Sequence, residues 1–151
     1  MNHMPSEEMI PVFASTELKL HPREYMIVSL SVVEKERALE LFKPLMPFSS
    51  VTVDSEEVSL ILGADDWEEM SDSFPSYEVE GPYRAITFDI VLDLSLVGYL
   101  SVVSAVLAKA GISIYAVSTF LRDHILVKAE DSDEAMRVLG GLIQRCKSTI
   151  V

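Results

Sequence analysis

Residues 93–127 read DLSLVGYLSVVSAVLAKAGISIYAVSTFLRDHILV, and this stretch decides the fold. Its polar residues gather in two places, at 93–98 and at 118–123, while the segment between them is largely apolar. Apolar residues recur at helical spacing over Val97–Ala110 and alternate with other residues further on. The pattern therefore predicts a loop, a helix and a β-hairpin, with polar side chains collected at the two turns.

The segments on either side extend this pattern into a unit of five elements. Arg84–Leu92 alternates as a half-buried strand, and Gly111 supplies the residue type favoured at a left-handed helix end. The hairpin strands follow at 112–117 and 124–128. A last helix is predicted over 132–145, because its acidic start and basic end both suit the helix dipole. The order of elements is therefore β-α-β-β-α.

A similar order of elements precedes this unit. We predict a strand over Tyr25–Leu30, a helix over Glu34–Phe42, two strands within Ser50–Leu62 and a short acidic helix over Asp65–Met70. The turn-forming pair Gly81–Pro82 is expected to separate the two units. The chain is thus predicted to be an α+β protein of two tandem units with antiparallel sheets, a degenerate one at 13–80 and a second at 81–151.

Composition and charge exclude several classes of protein. The 151 residues are 49% hydrophobic, which is enough to bury a core without a metal or a disulfide. A net charge of −12 repels nucleic acid and anionic lipid. No run approaches the ~18 apolar residues of a membrane span, residues 1–16 lack a leader pattern, and Cys146 lies on the apolar side of the last helix. We expect a cytoplasmic protein with no cofactor and no nucleic-acid or membrane partner.

The two polar turns form a candidate site for a zwitterion. Free backbone N–H groups at the start of the helix would face an anion such as a carboxylate, and Gly98 allows a close backbone approach there. The hairpin adds hydroxyl groups and the carboxylate of Asp123, which would hold a cation. The candidate ligand-binding residues are Asp93, Ser95, Val97, Gly98, Ser118, Thr119 and Asp123.

The same residues resemble a known family. Gly98 stands at the first strand-to-helix turn, and Ala110–Ile114 leads into the next strand. Val117–Phe120 followed by Asp123–Val127 forms the predicted hairpin. Together these segments are similar to the ACT domain, over about residues 17–147. ACT domains are ferredoxin-like regulatory modules that commonly bind amino acids, and the resemblance extends to small tandem-ACT proteins and to the ACT units of CASTOR-type arginine sensors.

The resemblance implies how a ligand would bind. The backbone N–H groups of Val97 and Gly98 would hold its carboxylate, and Asp123 would bind a cationic group. Asp123 and the net charge favour arginine or lysine over anionic amino acids. ACT domains usually build a ligand site between two units, so a homodimer or a complex with another ACT-containing protein is expected. Ferredoxin-like sheets also carry a fourth strand, which we expect from Thr16–Leu20 for the second unit and from Tyr77–Val79 for the first.

Each candidate residue also has a purely structural explanation. Gly98 could allow a helix to pack closely on a sheet. Asp93 and Ser95 could be helix caps, and Asp123 could be an ordinary turn acid. The two hydroxyl residues of the hairpin could satisfy backbone groups at a strand end.

Three classes of function remain open. A regulatory module that binds an amino acid fits the two turns best. A protein-interaction module would use the apolar helix Val97–Ala110 as its docking face. A small ferredoxin-like enzyme has the least support, because no nucleophile and base are paired in the sequence, and no residue is a catalytic candidate. Three histidines show no metal spacing and are not expected to act as ligands or bases: His3, His21 and His124.

Overall fold

A computed structural model describes residues 4–150 of the chain. It has mixed helix and strand structure, which confirms the expected α+β class. The helices are α1 Ile10–Ala14, α2 Lys35–Phe42, α3 Ala64–Met70, α4 Tyr99–Lys109 and α5 Ser132–Ile150. The strands are β1 Glu17–Leu20, β2 Tyr25–Ser31, β3 Ser50–Val53, β4 Glu57–Gly63, β5 Glu78–Asp89, β6 Tyr115–Ser118 and β7 Asp123–Lys128.

The chain divides into two compact units. One, the inserted unit, is continuous and comprises Arg23–Tyr83. The other, the discontinuous unit, comprises the described residues up to Pro22 together with those from Arg84 onward. From the sequence, we expected residues 13–22 to belong to the first unit. In the structure they belong to the discontinuous unit, which corresponds to the second unit of the prediction. The reason is β1, which pairs with a strand segment that lies beyond Tyr83.

The sheet of the discontinuous unit has the strand order β1, β5, β7, β6 and uses the second half of β5. β1 runs antiparallel to β5, with Leu20 opposite Ile86. β6 and β7 form the predicted antiparallel hairpin, with Tyr115 opposite Leu126. The expectation that Thr16–Leu20 completes this sheet is therefore confirmed.

Helix α5 supplies one side of the core of this unit. Ala135, Leu139, Leu142 and Cys146 recur at spacings of three and four residues, which places them on one face of the helix, and all four are buried. Each leucine contributes about 1.5–3 kcal/mol relative to an exposed position. The expected core position of Cys146 is confirmed. The helix runs to Ile150, beyond the predicted end at residue 145. Within residues 4–150, no helix is long and apolar enough to cross a membrane.

Helices α1 and α4 meet through their aromatic rings. The sequence did not predict α1, because its five residues are too few to show a helical period. Phe13 of α1 stacks on Tyr99 of α4 with 4.3 Å between ring centroids, and the Tyr99 hydroxyl lies 2.8 Å from Thr16 Oγ1. α4 begins two residues later than predicted, so Val97 and Gly98 lie in the loop that precedes it.

The sheet of the inserted unit has the order β3, β4, β2 and the first half of β5. Val28 of β2 lies opposite both Leu60 and Val79, so the strand expected near Tyr77–Val79 is confirmed. Trp67 of α3 is buried in this core. Its ring stacks on Phe74 with 6.1 Å between centroids.

The predicted turn at Gly81–Pro82 is wrong, because β5 passes through this pair without turning. Between the pairs Tyr25–Tyr83 and Ile27–Glu80, β2 advances two residues and β5 advances three. The extra residue makes a bulge, where an exposed proline without an N–H and a glycine with φ +149° can be accommodated in a strand. The Gly81–Pro82 pair, which is typical of a turn, therefore forms a bulge within a long strand.

Candidate ligand-binding site

A cavity of about 340 Å³ opens in the discontinuous unit, where the loop after β5, the start of α4 and the β6–β7 turn come together. Its volume lies in the range of small-molecule sites. Both polar turns singled out by the sequence contribute to it. The lining residues are Leu92, Asp93, Leu94, Leu96, Gly98, Tyr99, Leu100, Ser101, Ser118, Thr119, Phe120, Leu121, Arg122 and Asp123.

The loop before α4 is organised by Asp93. Its Oδ1 atom accepts hydrogen bonds from the backbone N–H of Ser95, at 2.8 Å, and from the Ser95 hydroxyl. The Ser95 hydroxyl, and then its N–H, hold the pKa of Asp93 below its ordinary value, so this carboxylate stays ionised at neutral pH. The pair shapes the loop and does not cap α4, which lacks a side-chain cap.

Helix α4 begins directly after Gly98, which lines the cavity. This residue has φ +101°, a left-handed conformation that favours glycine. A Cβ atom added here would meet only Met9 Cε at 3.8 Å, an ordinary contact, so close packing of the helix on the sheet is not the reason for the glycine. The first N–H groups of an α-helix have no acceptor within the helix. Groups of this kind can bind an anion, and both Gly98 and Tyr99 line the cavity.

The β6–β7 turn forms the other part of the cavity. The backbone N–H and the hydroxyl of Thr119 both donate to the Arg122 carbonyl, at 2.9 and 3.0 Å. The Ser118 hydroxyl donates to Asp123 Oδ1 at 2.8 Å. Thr119 thus closes the turn as the structural explanation of the hydroxyls anticipated, while the half-buried carboxylate of Asp123 still lines the cavity.

One cation in the lining, Arg122, was not singled out by the sequence. Its Nε donates to Asp89 Oδ1 at 2.8 Å, and Lys19 Nζ lies 2.9 Å from Asp89 Oδ2. Hydrogen bonds from Lys19 and then Arg122 lower the pKa of Asp89. Arg122 is therefore compensated by an ion pair on the sheet, while Asp93 and Asp123 lack a basic partner among the lining residues. The position of Arg122, directly before the candidate residue Asp123, could have indicated from the sequence that it lines the site.

The structure brings together five of the seven predicted site residues: Asp93, Gly98, Ser118, Thr119 and Asp123. Ser95 and Val97 do not line the cavity. Ser95 acts on Asp93 from the loop, and the Val97 side chain is 85% exposed. Their candidate roles rest on the loop backbone and not on side chains facing the cavity.

Several large apolar side chains in the two polar turns, or directly next to their lining residues in sequence, are exposed. We call this set the apolar rim; it comprises Val91, Leu94, Val97, Phe120 and Leu121, all exposed. By contrast, α4 directs its large apolar residues inward, with Tyr99, Val103, Val106 and Leu107 buried. The expectation that α4 itself offers an apolar docking face is therefore wrong, because the double apolar stripe is used by the core.

Within residues 4–150, no cluster of histidine, cysteine, aspartate or glutamate side chains could hold a metal ion. His21 and His124 are instead hydrogen-bonded to Thr87 in the sheet. His3 lies outside the described residues.

A model of the ACT domain family matches residues 78–140. That segment contains the cavity and all of β5, α4, β6 and β7. The match agrees with the expected ferredoxin-like ACT fold, in which a β-α-β-β-α unit carries antiparallel strands. No curated protein matches the sequence.

Solved structures show the same fold at low identity. A Vibrio cholerae protein of unknown function is 21% identical, with a TM-score of 0.68 over 87% of this chain and 92% of its own. An Agrobacterium tumefaciens protein is 24% identical, with a TM-score of 0.63 over 85% of this chain and 89% of its own. The regulatory subunit of aspartate kinase from Thermus thermophilus is 11% identical, with a TM-score of 0.60 over 85% and 99%.

Proposed function

We propose that this protein is a non-catalytic regulatory module that binds an amino acid in the 340 Å³ cavity. The observation that carries this proposal is that one cavity contains both an uncapped helix N-terminus and the Asp123 carboxylate. A zwitterion needs both kinds of partner. The backbone N–H groups of Val97, Gly98 and Tyr99 would receive the ligand carboxylate.

The charges of the lining favour a cationic ligand. Two carboxylates, Asp93 and Asp123, line the cavity, and the one guanidinium, Arg122, is paired with Asp89. Arginine or lysine would place its α-carboxylate at α4 and a cationic group at Asp123. Thr119 and the Asp93–Ser95 pair would complete the polar contacts. The resemblance to CASTOR-type arginine sensors, which we inferred from the sequence, favours the same choice.

The family match supports a regulatory function, because ACT domains generally serve that purpose. The Thermus thermophilus structure, a regulatory subunit, shows that a chain of this fold and extent can act as one. We further propose that the protein is cytoplasmic and forms a homodimer in which the apolar rim is covered by a second copy. A rim of five exposed apolar side chains is unusual for a surface that stays in water.

Isothermal titration calorimetry against the common amino acids tests the proposal. We expect arginine or lysine to bind and glutamate not to bind, because glutamate would add a carboxylate next to Asp123. Absence of heat from every amino acid at millimolar concentration would exclude the sensor function. The apolar rim would then favour the alternative, a protein-interaction module without a small ligand.

A further inference from the structure

A line of hydrogen-bonded side chains crosses the sheet of the discontinuous unit and ends at the cavity. His21 Nε2 lies 2.7 Å from Thr87 Oγ1, and Thr87 Oγ1 lies 2.8 Å from His124 Nδ1. His124 Nε2 lies 3.4 Å from Thr119 Oγ1. Thr87 and His124 are only 7% and 9% exposed, so these polar atoms need their protein partners. The chain links the end of β1 to β5, β7 and the cavity turn.

Counting the available hydrogens shows in which direction the hydrogen bonds of this chain of side chains are donated. Thr119 Oγ1 lies 3.0 Å from the Arg122 carbonyl and 3.4 Å from His124 Nε2, so we assign its one hydrogen to the carbonyl; its oxygen then accepts from His124, and His124 Nε2 carries a hydrogen. Neutral His124 then has a bare Nδ1, which accepts from the Thr87 hydroxyl. Because Thr87 has a single hydrogen, His21 Nε2 must donate to it. The chain therefore runs from His21 through Thr87 and His124 to Thr119.

We propose that Thr87 and His124 are positioning residues for the ligand site, because their hydrogen bonds fix the turn that carries Ser118 and Asp123. Thr119 is the point of attachment: its oxygen accepts from His124 and also from the Arg122 N–H, at 3.3 Å, while its hydrogen closes the turn. The inference rests on the proposed function, in that the cavity must bind an amino acid for the positioning to affect affinity.

Protonation of His124 breaks the chain. A hydrogen on Nδ1 would point at the Thr87 oxygen, which then has to turn its own hydrogen away. Burial first, and then the positive charge of His21, lower the pKa of His124; Arg122 acts in the same direction, and Asp123 opposes it. Burial and Lys19 likewise lower the pKa of His21. The chain is thus intact at neutral pH, and ligand affinity should fall as the pH drops below the ordinary histidine value of 6.5.

The direction of the chain can be tested without any ligand. Two-dimensional ¹⁵N–¹H spectra of the imidazole rings at pH 7.5 report which nitrogen carries the hydrogen. We expect His21 and His124 both to be neutral with the hydrogen on Nε2. A His124 ring protonated on Nδ1 would overturn the proposal whether or not an amino acid binds.

The effect on the site is tested by calorimetry with L-arginine from pH 5.5 to 7.5. Thr87→Val, which has the same shape without the hydroxyl, should weaken binding about fivefold at pH 7.5 and flatten the pH profile. Thr87→Ser should restore both, and Thr52→Val, an exposed strand position, serves as the matched control. Melting curves establish that each variant is folded.

A folded Thr87→Val that binds arginine like the parent at every pH would refute the positioning role. If the parent binds no arginine, the proposed function fails separately. The amide shifts of residues 118–123 in Thr87→Val then decide the inference: a change confined to the turn supports it, and unchanged shifts overturn it.

Discussion

At the scale of single residues, Gly98 is a position whose structural reason could not be predicted from the sequence. The sequence indicated a glycine at a strand-to-helix turn and left open whether packing or ligand access required it. The structure gives a third reason, since φ is +101° and space for a Cβ exists next to Met9. Backbone dihedrals depend on the loop held by Asp93 and Ser95, and they cannot be read from a residue type alone.

Replacing Gly98 with alanine should therefore destabilise the protein by about 1–2 kcal/mol, because an L-residue is strained in the left-handed region. Gly140→Ala is the matched control: this glycine lies inside α5 with no atom within 4 Å of an added Cβ, so its replacement should stabilise by about 0.4–1 kcal/mol. Urea unfolding measures both values. Equal effects of the two substitutions would mean that Gly98 is not held in its observed conformation.

Asp123 is the residue on which the choice of ligand depends. Asp123→Asn keeps the shape and a hydrogen-bond acceptor for Ser118 but removes the charge. We expect arginine affinity to fall about a hundredfold, equivalent to about 2–3 kcal/mol for a desolvated charged hydrogen bond. Asp72→Asn, at an exposed position outside the cavity, changes the net charge equally and should leave the affinity within twofold. Similar losses in both variants would indicate a long-range charge effect only.

At the scale of elements, strongly periodic segments were predicted well and local irregularities were not. The apolar residues of Tyr25–Leu30 and of the second hairpin strand, Asp123–Lys128, predicted the right strands, because most of these apolar side chains are buried in the core. Helix α1 was missed since Ile10–Ala14 contains a proline and spans barely one turn. Gly81–Pro82 misled because its bulge depends on pairing with β2, a contact distant in sequence.

The residues of the candidate site were also predicted only where a local sequence pattern marked them. The two turns were predicted because their polar residues interrupt apolar elements. The compensated charge of Arg122 was not, because its partner Asp89 belongs to another strand and meets it only in the folded sheet. Cross-strand neighbours of this kind require the register, which the sequence alone did not provide.

Helix α5 provides a chemical test of its own packing through Cys146. The thiol is buried, and burial raises its pKa above the ordinary 9.0, while Arg145 acts weakly in the opposite direction. The native protein should react with a thiol reagent at pH 8 more than about a thousandfold slower than the unfolded chain. Ser148→Cys in a Cys146→Ala background, at an exposed position, should react at once. Fast labelling of native Cys146 would show that α5 frays past it.

At the scale of the whole molecule, His21 and His124 predict how stability depends on pH. Their pKa values are lowered in the folded state, so the unfolded chain binds more protons as the pH falls below 6.5. The free energy of unfolding should therefore be constant above about pH 7 and decrease toward pH 5.5. His21→Gln keeps an N–H donor but does not titrate, and its slope in urea unfolding should be shallower. An unchanged slope would assign the pH dependence to other groups.

Assembly is the second whole-molecule property. If the apolar rim is covered by a second copy, light scattering should give twice the chain mass of 16.8 kDa at micromolar concentration. Phe120→Asp should yield monomers, because Phe120 is 75% exposed at the centre of the cavity turn and a carboxylate there cannot be buried unpaired. Val33→Asp, at an exposed apolar position outside the rim, should leave the mass unchanged. A monomeric parent would contradict the dimer.

The pairing of β1 with β5 has a topological consequence. Leu20 lies opposite Ile86 and the His21 N–H donates to the Ala85 carbonyl at 2.9 Å, so these strands are the arms of a β-hairpin whose loop is the entire segment Arg23–Tyr83. The entropy of closing a loop rises slowly, by about 0.6 kcal/mol for each doubling of its length. We therefore expect that a two-residue Asn-Gly turn can replace Arg23–Tyr83. The product would be a smaller protein in which the discontinuous unit is continuous in sequence and retains the cavity.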